Sequence, residues 1–133
     1  MYLSQGIDIV EVRRIKKILV RYKNNFLKKI LSNKEYKLLD LSNNIDFLSE
    51  KIANKFAAKE AALKALGTGV SQNISFNDLE ILNDKFGKPI ISFLGNANKK
   101  LIEIKNKNKH QRISVSISSE KKYSVAIVTI IFF

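Results

Sequence analysis

Cysteine and tryptophan are absent from the 133 residues, and proline and histidine occur once each, at Pro89 and His110. Without cysteine there is no disulfide framework, no thiolate metal site and no cysteine nucleophile. His110 lies in a polar loop and reads as a surface residue rather than a catalyst. No charge-free apolar run reaches the roughly 18 residues of a membrane span. The start, Met1-Tyr2-Leu3-Ser4-Gln5, lacks a basic region followed by an apolar stretch, so no signal peptide is expected and a soluble, cytoplasmic protein is. Acidic residues are scarce: 12 Asp and Glu face 24 Lys and Arg, for a net charge of +12 and a pI near 9.9. Such a surplus favours an anionic partner, whether nucleic acid, an anionic membrane, a phosphorylated cofactor or an acidic protein, and does not choose among them.

What is present is a hydrophobic content of 45%, sufficient for a packed core. The length fits one domain over 1–133. Met1 to Val10 reads as a strand leading into a helix from Glu11 to Tyr22, with Val12, Ile15, Ile18, Leu19 and Tyr22 at helical spacing. Arg13, Arg14, Lys17 and Arg21 then share the opposite face. Ser32-Asn33-Lys34-Glu35 has the form of a capping box opening a short helix. The longest helix is expected from about Asp46 to Leu66, with Leu48, Ile52, Phe56, Leu63 and Leu66 inward and Gly67 as its left-handed cap. A hairpin follows, with strands at 79–83 and 90–94, then a helix near 96–106. Two strands finish the chain. In the first, Ile113, Val115 and Ile117 alternate with serines; the second, Val125 to Phe133, is apolar enough to be a central strand or an oligomer contact. The order predicts an α+β domain with a mainly antiparallel sheet packed against helices.

Two segments carry chemistry. In Gly6-Ile7-Asp8-Ile9-Val10-Glu11 a carboxylate interrupts an apolar strand, which is disfavoured unless something binds it. The plainer alternative buries Ile7, Ile9 and Val12 and turns Asp8 to water. Gly6 adds weight to the ligand reading, because a strand glycine often permits close approach. In Phe56-Ala57-Ala58-Lys59-Glu60-Ala61-Ala62-Leu63-Lys64, Glu60 and Lys64 share one helix face, with Cβ atoms about 5–6 Å apart. Alone, that spacing is equally an ordinary helix-stabilising pair.

Together the two blocks resemble the signature blocks of the 4′-phosphopantetheinyl transferases, and in particular the short type, the holo-[acyl-carrier-protein] synthases. The resemblance spans nearly the whole chain and implies the 4′-phosphopantetheinyl transferase fold. It implies that Asp8 and Glu60 are magnesium ligands and that Lys64 neutralises a coenzyme A phosphate. It also implies that Lys55 touches coenzyme A phosphate and that Arg13, Arg14, Lys17 and Arg21 dock an acidic acyl-carrier protein. The implied reaction moves 4′-phosphopantetheine from coenzyme A to a carrier serine, in support of fatty acid biosynthesis. Glu60 and Lys64 are the catalytic candidates, and either Glu60 or a metal-bound water accepts the serine proton. A homotrimer with sites between subunits is implied as well. One departure stands out: where many relatives have a Ser-His pair, this chain has Ser118-Ser119, with Tyr123 kept at the matching spacing. The rival reading is a small basic nucleic-acid-binding protein, for which no recognised module or aromatic-basic interleaving is present.

Overall fold

A computed structural model of the protein describes residues 1–41, 44–69 and 73–133. Its centre is α3 (Ile45–Leu66), whose Ala57, Ala58, Ala61, Ala62 and Ala65 are buried. Side chains this small let neighbouring backbones approach closely. Asn44 caps its first turn by accepting from the Phe47 amide at 2.8 Å, and Gly67, at φ 76°, closes it. Against α3 lies an antiparallel three-stranded sheet in the order β1 (Tyr2–Glu11), β5 (Tyr123–Phe132), β4 (Gln111–Ser119). The nearly continuous apolar final strand is thus the central one, as its composition predicts. Ser124, Ala126, Val128, Ile130 and Phe132 are buried, while the alternate residues face away from the core.

A separate antiparallel hairpin joins β2 (Leu79–Asn83) and β3 (Pro89–Phe93). Its turn is organised by Asp84, whose Oδ1 accepts from the amides of Phe86 at 2.8 Å and Lys88 at 2.9 Å, with Gly87 at φ 81°. The short α2 (Asn33–Leu38) opens on the expected capping box between Ser32 and Glu35, and α4 (Gly95–Lys105) follows the hairpin.

The first helix differs from the sequence expectation. α1 runs from Val12 to Ile30, past Tyr22, where the backbone leaves helical geometry (φ −132°, ψ 30°). The apolar pattern breaks across the polar Lys23-Asn24-Asn25 and resumes in a new phase, with Leu27 and Ile30 buried. Tyr22, expected inward, is half exposed, with the Arg21 guanidinium 5.2 Å from its ring centroid.

Candidate active site

β1 and α3 cross so closely that Gly6 has no room for a side chain. A Cβ there would lie 1.9 Å from the Ala61 carbonyl oxygen, 2.7 Å from the Ala65 nitrogen and 2.8 Å from the Lys64 Cβ. The glycine therefore admits the helix backbone, not the ligand that sequence reasoning assigned to it. Ser4 reinforces the crossing by donating to the Ala65 carbonyl at 2.6 Å.

This crossing sets the direction of every side chain on β1. Ile7 and Ile9 are 60% and 62% exposed, whereas the Asp8 side chain is only 16% exposed. The plainer expectation, isoleucines inward and acid outward, is the reverse of the arrangement. Lys64 reaches across from α3, donating to Asp8 Oδ1 at 3.0 Å and to the Ile7 carbonyl at 2.9 Å. Among the described residues no ion pair joins Lys64 to Glu60, so the i, i+4 pair exchanges its local partner for one on the strand. The pKa of Glu60 is raised, first by burial and then by the negative charge of Asp8, with Lys64 opposing. The charge of Asp8 is thus felt at Glu60, with the Lys64 ammonium paired to Asp8.

That donor set suits magnesium, which takes one or two protein carboxylates and completes its shell with phosphate and water oxygens. A divalent cation between Asp8 and Glu60 would offset both the burial of Glu60 and the like charge of Asp8, the two causes that raise the Glu60 pKa. Among the described residues no group of three or more His, Cys, Asp or Glu could hold a metal.

Lys55 is not part of this constellation. Nine residues before Lys64, it lies about 13 Å away along the helix axis and half a turn round it. Its ammonium instead donates to the Ile81 carbonyl at 2.5 Å and pairs with Glu35 Oε2 at 3.0 Å. There it lines a cleft of about 790 Å³, together with Lys34, Lys51 and Asn54, the hairpin residues Gly87 and Pro89, and Ser119. Ser119 therefore has a cleft-lining place, and the Gly87-Lys88-Pro89 turn forms part of a wall.

Beneath the cleft is a network that sequence reasoning missed. Lys59 and Glu35 are both fully buried and meet at 2.5 Å. Burial acts to raise the Glu35 pKa, but the ammonium groups of Lys59 and Lys55 and hydrogen bonds from Lys59 and Ser32 outweigh it and bring the pKa below the ordinary value. Burial pushes the Lys59 pKa down to about 8 against the attraction of Glu35. The capping box was visible in the sequence; that its glutamate would meet a lysine 24 positions away was not. The basic residues of α1 fall as expected, with Arg13, Arg14, Lys17 and Arg21 all exposed. His110 is also exposed, beside the Phe133 ring.

The strand carboxylate of Asp8, the helix carboxylate of Glu60 and the Lys64 ammonium paired with Asp8 stand together on an α+β domain. The family profile described as the 4′-phosphopantetheinyl transferase superfamily matches residues 4–128. A holo-[acyl-carrier-protein] synthase of Buchnera aphidicola subsp. Acyrthosiphon pisum is 48% identical over 124 residues, covering 92% of each protein. The crystal structure of the Plasmodium yoelii holo-ACP-synthase superposes with a TM-score of 0.84 at 36% identity, covering 100% of this chain and 99% of that one. The holo-(acyl-carrier-protein) synthase of Bacillus anthracis, in complex with CoA (3′,5′-ADP), gives 0.75 at 35% identity over 96% and 94%. The chain belongs to the 4′-phosphopantetheinyl transferase superfamily, among its holo-[acyl-carrier-protein] synthases.

Proposed function

We propose that this protein transfers 4′-phosphopantetheine from coenzyme A to a serine of apo-acyl-carrier protein, releasing adenosine 3′,5′-bisphosphate. The observation that carries the reading is the Asp8–Lys64 pair beside Glu60, at a crossing too tight for any residue but glycine. Magnesium, held by Asp8 and Glu60, would supply neutralising charge for the coenzyme A pyrophosphate. Lys64 adds a fixed cation already held toward the site, so little reorganisation is needed as charge develops on the phosphate undergoing attack. Either Glu60 or a water beside the metal would accept the serine proton.

The separation of Lys55 from this site bears on assembly. An extended ligand could not touch Lys55 and Lys64 of one chain by lying along a single face of α3. Sites shared between copies remove the difficulty. The sheet supplies a contact for them: Leu3, Ile7 and Ile9 of β1 and Ile127 of β5 are exposed on the face away from the core. A homotrimer built on this face is the assembly in this reading, with Val125, Ile127 and Ile131 as the contribution of the last strand. The exposed cations of α1 follow β1 directly, so an acidic carrier docked on Arg13, Arg14, Lys17 and Arg21 would lie near Asp8. No helix among the described residues is long and apolar enough to cross a membrane, in keeping with action on a cytoplasmic carrier.

The test is the magnesium dependence of transfer. Asp8→Asn and Glu60→Gln should each abolish turnover or demand far more magnesium, while coenzyme A still binds. Near-normal turnover of either variant at low magnesium would remove the two carboxylates from the metal site.

A further inference from the structure

The network under the cleft is costly, and stability does not account for it. Glu35 and Lys59 both lose their hydration, and a well-packed apolar pair of similar volume commonly supports a fold as well or better. An apolar pair could not, however, hold Lys55. Lysine carries its ammonium on a flexible four-carbon stem, yet here the ammonium has two fixed partners, the Ile81 carbonyl and Glu35 Oε2. Glu35 is itself immobilised. Its Oε1 accepts from Lys59 at 2.5 Å and from the Ser32 amide at 3.0 Å. Lys59 in turn donates to the carbonyl of Ile30, the last residue of α1, at 2.6 Å. On the outer side, Ser32 Oγ donates to Glu80 Oε2 of β2 at 2.7 Å. A continuous line of contacts therefore runs from α1 through Lys59 and Glu35 to an ammonium on the cleft wall.

We propose that Glu35 is a positioning residue for coenzyme A binding, holding the Lys55 ammonium where it meets a phosphate of the nucleotide end. The inference rests on the reading above, in which Lys55 contacts coenzyme A phosphate. Lys59 completes the device. Its charge offsets that of Glu35, so Lys55 is oriented by a carboxylate without being neutralised by it.

Three variants of the full-length protein test this, each with titration calorimetry of coenzyme A, steady-state kinetics and a thermal melt. Lys55→Met should weaken coenzyme A binding about tenfold, the effect of losing one charge-assisted hydrogen bond. Glu35→Gln combined with Lys59→Met leaves the net charge unchanged and removes the anchor together with the Lys59 bond to the Ile30 carbonyl. It should weaken binding severalfold and raise KM for coenzyme A while kcat stays within about twofold. Adding Lys55→Met to that pair should cost nothing beyond Lys55→Met alone, because the anchor acts through Lys55. A merely structural role would lower the melting temperature and kcat and would leave the losses additive. Should the paired variant melt early, Glu35→Asp keeps the buried charge but draws it back from Lys55, and the same KM rise is expected. If Lys55→Met weakens binding but the anchor variants bind as tightly as the parent, or more tightly, Glu35 does not position Lys55. If Lys55→Met itself changes nothing, the reading of Lys55 falls and the proposal falls with it.

Discussion

Replacing Gly6 by alanine adds one methyl group and should disable the enzyme from the far side of the active site. The new Cβ would stand 1.9 Å from the Ala61 carbonyl oxygen, where real Cβ contacts essentially never fall below 3.0 Å. At least about 1 Å of separation between β1 and α3 must open, and two of the three obstructing atoms are backbone atoms that cannot turn aside. β1 is held by pairing with β5 along its whole length, from Tyr2 opposite Phe132 to Glu11 opposite Tyr123, so the strand cannot retreat alone. Overpacking typically costs about 1–3 kcal/mol, and the rigidity here points to the upper end. For a domain of this size that lowers the melting temperature by about 10 °C. The catalytic loss should be larger. Asp8 is two residues along the strand, Lys64 supplies one of the obstructing atoms, and a misplacement near 1 Å costs roughly 100-fold in rate. The assay is kcat for carrier modification at saturating coenzyme A, well below the melting temperature. Ser4→Ala, which loses one hydrogen bond at the same crossing, should cost only about 1 kcal/mol and spare most of the activity. A Gly6→Ala variant with parental kcat and stability would show that the strand–helix approach does not set the site.

Other outcomes follow from the same contacts. In the metal-free protein, NMR titration should find Glu60 above the ordinary carboxylate range, and Asp8→Asn should lower it by removing the like charge. Lys59 titrates near 8 when folded against 10.5 as a free side chain, so between those values the unfolded chain binds more protons. Stability relative to Lys59→Met should therefore rise as pH increases through that window, read by chemical denaturation. Lys59→Ala, which leaves the Glu35 charge buried without its closest partner, should cost about 3–5 kcal/mol. Arg14→Glu with Arg21→Glu should lower kcat/KM for the carrier severalfold and flatten its salt dependence, with coenzyme A affinity unchanged. Ile7→Lys with Ile9→Lys should convert the assembly to monomers by sedimentation; a parent protein that is monomeric and fully active would end the trimer reading.

The elements of the fold were legible wherever one period dominated. The alternation of Ile113, Val115 and Ile117, the capping box at Ser32 and the Gly67 cap all stand where the residues place them. The second half of α1 was not legible, because Lys23-Asn24-Asn25 and the kink at Tyr22 shift the apolar phase. At the site, the two signature blocks pointed to Asp8, Glu60 and Lys64, which the structure brings together, but the blocks could not say which way Asp8 points. That direction depends on α3 lying against Gly6, a tertiary contact with no local trace. The same limit hid the Lys59–Glu35 pair. A lysine in an alanine-rich helix looks solvated until the helix is seen to be buried on several sides.

The account turns on whether Asp8 and Glu60 serve phosphopantetheine transfer, and mass spectrometry of the carrier decides it most directly. Apo-acyl-carrier protein incubated with coenzyme A, magnesium and this protein should gain the mass of one 4′-phosphopantetheine on its serine. The gain should vanish with Asp8→Ala or Glu60→Gln, although both variants remain folded. A carrier left unmodified by the parent protein at any magnesium concentration, or modified equally well by both variants, would contradict the account.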